Sequence, residues 1–215
     1  MLLAMALGLL VQQADVGRCE GSTDATPWFA PGDYPAAALR NGEEGAVDYA
    51  IDVDADGCVT GCTVTHSSGH RTLDDVTCAI LMRRARFSSA ARDAAGNRVA
   101  SSFRHYRWWI LPDPIPPGTT APAPRGLPGA WVTNDDYPPA ALRAEQSGDV
   151  IFRLDLDEAG RVTNCTIRAS SGSDLLDQTT CGLLRRRARL TPARDASGNP
   201  IPSQWSNGFR WSIPE

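Results

Sequence analysis

The chain contains no lysine, so all 21 of its basic residues are arginine. That removes any catalytic scheme built on a lysine amine, whether as nucleophile or as Schiff-base former. Long apolar runs are scarce too. The longest, Leu2 to Val11, is about half of the roughly 20 residues a spanning helix needs. It suits the apolar core of a secretory signal, and residues 1–20 are expected to act as a signal peptide or a short N-terminal anchor. Positive charge is not in excess: the formal net charge is −4, which gives no general attraction for nucleic acid. No Gly-x-Ser-x-Gly nucleophile elbow occurs, and its absence counts against a hydrolase of that type. The chain is expected not to be an enzyme and to need no cofactor.

What the chain does have is a repeat, the feature to seek first in any sequence. DYPAAALR at Asp33 to Arg40 returns as DYPPAALR at Asp136 to Arg143, an offset of 103. The same offset carries Trp28 to Trp131, Gly45 to Gly148, Cys62 to Cys165, Cys78 to Cys181 and the Arg83–Arg86 run onto Arg186–Arg189. With one residue extra in the first copy, the offset then becomes 102 and carries Trp109 to Trp211. Two homologous domains are expected, over 24–112 and 129–215. Between them a proline-dense stretch, 113–128, reads as a semi-extended linker.

The repeat disposes of two tempting motifs. Cys58, Cys62, His66 and His70 recur every four residues and offer a zinc-like ligand set. In the second copy Cys58, His66 and His70 become Arg161, Ala169 and Ser173, so the fold has no use for such a site and no metal is expected. The stretch from Asp52 to Gly57 begins like a calcium loop, but the twelfth position, which should be Glu, is Thr63. A hairpin turn with positive φ at both Asp56 and Gly57 is the expectation.

Six cysteines permit three disulfides in an oxidising compartment. The pairs Cys62/Cys78 and Cys165/Cys181 have the same spacing in both copies. That points to one disulfide per domain; in a reducing compartment the same four would be buried thiols. Cys19 and Cys58 have no counterparts and either pair with each other or stay free.

Each copy reads as helix, strand, strand, helix, strand. In the second, a short helix follows Tyr137 and ends at Gly148, and Val150, Phe152, Leu154 and Leu156 alternate as one face of a strand. After a second strand, Asp174 to Arg189 shows helical spacing, with arginines crowding its last turn. The segment from Thr191 to Pro202 reads as a loop before an aromatic-rich final strand. The fold class is α+β, each unit a small three-stranded antiparallel sheet packed by helices.

The ordered set Tyr-Pro-x-x-Ala-Leu, Gly-x-Val, Asp-Ala-Asp-Gly-Cys-Val, Ser-Ser-Gly, Leu-Asp, Arg-Arg-Ala-Arg, Ala-Arg-Asp-x-x-Gly-Asn and a terminal aromatic strand resembles the TonB C-terminal domain, in tandem. The resemblance implies a periplasmic module, free or held at the inner membrane by its N-terminal segment, that engages outer-membrane TonB-dependent receptors. It would do so by receiving their Ton box as an added strand, in support of transmembrane transport. The implied receiving strands are Ser102, Phe103, Arg104, His105, Tyr106, Arg107, Trp108 and Trp109 in the first copy, and Gln204, Trp205, Ser206, Asn207, Gly208, Phe209, Arg210 and Trp211 in the second. Self-association is a second expected contact. The competing reading is an envelope structural or interaction protein with the same fold and another partner.

Overall fold

The computed structural model describes residues 28–87 and 91–213. In the first unit a short helix, α1 (Ala36–Asn41), is followed by β1 (Gly45–Val53), β2 (Val59–His66) and α2 (Arg71–Arg84). The minor strands β3 (Ala91–Arg92) and β4 (Arg98–Val99) then lead to β5 (Ser101–Trp109). The connecting segment contributes β6 (Ala123–Pro124). The second unit repeats the plan with α3 (Pro139–Arg143), β7 (Gly148–Leu156), β8 (Val162–Ala169) and α4 (Asp174–Arg187). Then come β9 (Leu190–Thr191), β10 (Ala193–Arg194), β11 (Pro200–Ile201) and β12 (Ser203–Trp211). Each main sheet has three antiparallel strands, ordered β2-β1-β5 and β12-β7-β8. The expected α+β architecture is therefore present twice. No described helix is long and apolar enough to cross a membrane.

One face of each sheet is apolar because strand residues alternate. Val47, Tyr49, Ile51 and Val53 are buried beneath α2, and Val150, Phe152, Leu154 and Leu156 beneath α4. The helices cover the β1–β2 and β7–β8 sides. On the last strands, aromatic residues from the start of each unit complete the cover: Phe29 and Tyr34 meet Trp109 edge-on, and Tyr137 meets Trp211 likewise. The buried indole N–H of Trp109 donates to Thr77 Oγ1 at 2.8 Å, and that of Trp211 to Thr180 Oγ1 at 2.9 Å. A polar tip so satisfied lets a whole tryptophan stay in the core.

The repeated motifs each have a physical task. The aspartate of Asp-Tyr-Pro holds an arginine at the end of the long helix: Asp33 bonds Arg84 at 2.6 Å, and Asp136 takes Arg187 in a two-point contact at 2.6 and 2.7 Å. The aspartate of Leu-Asp holds the Ser-Ser-Gly loop. Asp74 accepts from Ser68 N and Oγ at 3.0 and 2.8 Å, and Asp177 accepts from Ser171 at the same two distances. Those loops lie against the first residues of β1 and β7. A Cβ on Gly45 or Gly148 would stand 2.6 or 2.2 Å from the Ser68 or Ser171 carbonyl oxygen.

This last contact corrects the role expected of Gly148. It does not end α3 but opens β7, where only a bare backbone fits under the loop. The left-handed position after the short helix is Gly42 (φ 68°) in the first unit and Glu145 (φ 50°) in the second. The turn at Asp56-Gly57 also differs from expectation, since only Gly57 has positive φ, at 87°. Asp54 Oδ1 accepts from the backbone of Asp56 and of Cys58, both at 2.9 Å. An Asx-type turn, not a mirror-image one, closes the hairpin. The stretch from Thr191 to Pro202 is a loop only in part, since β10 pairs with β11 and β9 with β6. Asp195 Oδ1 builds that hairpin tip by accepting from Ser197 N and Asn199 N, each at 2.9 Å.

Disulfides join Cys62 to Cys78 and Cys165 to Cys181, tying β2 to α2 and β8 to α4. No described cysteine is free, Cys58 included. Cys19, with which Cys58 was expected either to pair or not, lies outside the described residues, as do the expected leader and the start of the first domain.

Candidate protein-binding edges

In a three-stranded sheet with the first strand central, the last strand is an edge. Residues of an antiparallel edge strand alternately turn their N–H and C=O groups toward the neighbouring strand and away from it. Among the described residues β5 pairs only with β1, and β12 only with β7. Each therefore offers an unpaired row of backbone groups, the requirement for strand addition. All sixteen residues expected to form receiving strands lie on these two elements.

The two edges are not alike. On β5, Ser102, Arg104, His105 and Tyr106 are exposed. On β12 no residue is: Ser203 to Arg210 are all half-buried and Trp211 is buried. Two things cover β12. The connecting segment docks on the second unit, with β6 paired to β9 and Thr120 N donating to Arg194 O at 2.9 Å. Asp113 in the same segment accepts from Ser206 Oγ at 2.8 Å. The proline-rich stretch thus lies along the second unit and does not hang free between two bodies. The other cover is the first unit itself.

The sheets meet through the faces that the helices leave bare. On the first unit this face carries Ala46 and Asp48 on β1, opposite Trp108 and Tyr106 on β5. On the second it carries Asp149 and Ile151 on β7, opposite Arg210 and Gly208 on β12. Arg210 Nη2 lies 2.5 Å from Asp48 Oδ1, and its Nε lies 2.7 Å from Asp149 Oδ1. The same guanidinium sits 4.2 Å above the Tyr106 ring, a cation–π contact. Hydrogen bonds to both carboxylates outweigh partial burial and push the Arg210 pKa upward, so its charge is fixed at any working pH. Gly208 makes room for Trp108: a Cβ there would lie 2.7 Å from the indole. The positions contact one another reciprocally, Tyr106 with Arg210 and Trp108 with Gly208, as in an isologous pair. A second bridge, Arg168 to the buried Glu44 at 2.8 Å, closes the other side.

The zinc-like quartet is not assembled. Cys62 is tied to Cys78, His66 is the exposed last residue of β2, and His70 precedes α2. No group of three His, Cys, Asp or Glu among the described residues is placed to hold a metal. The role of Arg210 was missed at the sequence level. The signal was faint: Arg210 replaces Trp108 and Gly208 replaces Tyr106, in a final strand where only Ser101/Ser203 and Trp109/Trp211 match between the copies.

Neither the curated proteins nor the solved structures compared with the chain give a match. The profile of one family does, twice, over residues 31–108 and 133–213. The two segments take in most of the chain and coincide with the two sheet-and-helix units. The chain belongs to the family described as Gram-negative bacterial TonB protein C-terminal, of which it carries two copies.

Proposed function

We propose that the tandem is a periplasmic protein-binding module that receives an extended segment of an outer-membrane TonB-dependent receptor as a fourth strand, in the service of transport across that membrane. The observation that carries this reading is the final strand of each family unit, β5 and β12, which among the described residues pairs on one side only. Backbone hydrogen bonds along such an edge supply affinity, and alternate side chains supply selectivity. The sixteen residues of the two strands are the proposed contacts, with the more open β5 the stronger of the two.

The coverage of β12 favours a second reading for the second unit alone. It serves as a scaffold that holds the first unit and the connecting segment, while β5 does the binding. Titrating the isotope-labelled, oxidised protein with a Ton-box peptide tests both. Amide shifts on Ser101–Trp109 are expected, with weaker shifts or none on Ser203–Trp211. Shifts confined to other surfaces contradict strand addition.

A further inference from the structure

At three positions the first unit's edge carries a basic side chain where the second carries a neutral one: Arg104 against Ser206, His105 against Asn207 and Arg107 against Phe209. The two arginines stand on opposite faces of β5, since Arg104 pairs with Ala50 and Arg107 with Val47. Neither has a carboxylate within 4.0 Å among the described residues. Arg104 is exposed, and its side chain makes no hydrogen bond among the described residues. Arg107 is half-buried over the rings of Phe29 and Trp109, 4.8 and 5.1 Å from their centroids, and its buried Nε has no hydrogen-bond partner among the described residues. The acid that faces Arg107, Asp33, is already bonded to Arg84. Six other arginines, Arg71, Arg84, Arg161, Arg168, Arg187 and Arg210, do hold an acid.

Arg107, half-buried without an acid, carries a cost that an incoming carboxylate would recover, whereas exposed Arg104 offers a solvent-screened attraction. A strand added beside β5 places its side chains alternately on the same two faces. Residues opposite Arg104 and Arg107 would be three apart on that strand and on different faces. We propose that the β5 edge selects an acidic extended segment, with carboxylates three residues apart, one for Arg104 and one for Arg107. The β12 edge, with Ser206, Asn207 and Phe209, has no such preference. This rests on the strand-addition reading above and specifies its partner.

The test uses the full oxidised chain and two synthetic peptides of roughly ten residues, each alternating Val and Thr. One carries Glu at two positions three apart, the other Gln at the same positions. Binding is measured by titration at low and moderate salt, with amide protection read on both edges. The Glu peptide is expected to protect β5 and to bind about tenfold more tightly than the Gln peptide, an advantage that added salt reduces. Arg104→Gln, on an exposed site, should remove part of that advantage, and Arg104→Gln/Arg107→Gln all of it. Equal binding of both peptides at β5 overturns the charge selection while leaving strand addition standing. A Glu preference that survives in Arg104→Gln and the double variant also overturns it. Protection at neither edge by either peptide overturns both the proposal and the reading beneath it.

Discussion

The Arg210 guanidinium lies between Asp48 of one unit and Asp149 of its own, with Nη2–Oδ1 and Nε–Oδ1 distances of 2.5 and 2.7 Å. One side chain therefore joins two sheets that belong to different repeats. Arg210→Ala leaves two half-buried carboxylates facing each other without a cation. We expect it to cost about 2 kcal/mol and to loosen the sheet-to-sheet contact. Gly208→Leu should loosen the same contact by a different route, since its side chain would meet the Trp108 indole. Both variants should show a larger radius of gyration in small-angle scattering with unchanged far-ultraviolet circular dichroism. An unchanged radius in both would mean that the face-to-face packing does not hold in solution.

The disulfides close loops of sixteen residues' separation. Each is expected to contribute on the order of 3 kcal/mol by restricting the unfolded chain. Replacing Cys165 and Cys181 together by Ser should lower the urea midpoint of the second unit strongly. A midpoint within error of the parent would show that α4 is held on β8 by packing alone.

Glu145 occupies a left-handed position, φ 50°, where the first unit has Gly42. A non-glycine residue there carries a backbone strain of about 1 kcal/mol or more. Glu145→Gly should therefore stabilise the second unit by roughly 0.5–1 kcal/mol, after the added freedom of the unfolded chain is counted. Thermal unfolding reads this directly, and a lower midpoint would contradict it.

The duplicated plan was legible in the sequence because every motif that recurs has a local structural task. Asp33 and Asp136 hold the helix-end arginines, Asp74 and Asp177 hold the serine loops, and the matched cysteines bridge at short range. That both last strands receive a partner was implied by the family resemblance, not by their alternation, and their place at the sheet edges follows from the observed strand order. What the repeat concealed was whatever differs between the copies. Comparing the copies finds the shared fold, but the contact between them is made where they diverge: Trp108 and Tyr106 against Arg210 and Gly208. Turn type was also misread. Asp-Gly suggests two positive φ values, whereas the Asp54 carboxylate pulls Asp56 into ordinary backbone space. The docking of the connecting segment left no periodic trace, because β6 is only two residues long.

The Asp136 carboxyl is held at about 2, well below its usual 3.8, chiefly by its hydrogen bonds to Arg187. Asp33 is shifted the same way by Arg84. A depressed carboxylate stabilises the fold fully above its unfolded pKa and loses that contribution as pH falls through the folded one. The loss is thus expected between roughly pH 4 and pH 2. Because the pair is at the surface, its worth is about 1 kcal/mol or less. Asp136→Asn should flatten the acid limb of the stability curve in that window, and a limb of unchanged slope would place the acid sensitivity elsewhere.

The account turns on β5 being an edge that accepts a strand. Its most direct test is amide hydrogen exchange on the full oxidised chain with and without a saturating Ton-box peptide. The account predicts that alternate amides of Ser101–Trp109, those facing away from β1, slow by about tenfold or more, while those already bonded to β1 change little. Uniform exchange along β5 in the presence of bound peptide would contradict it.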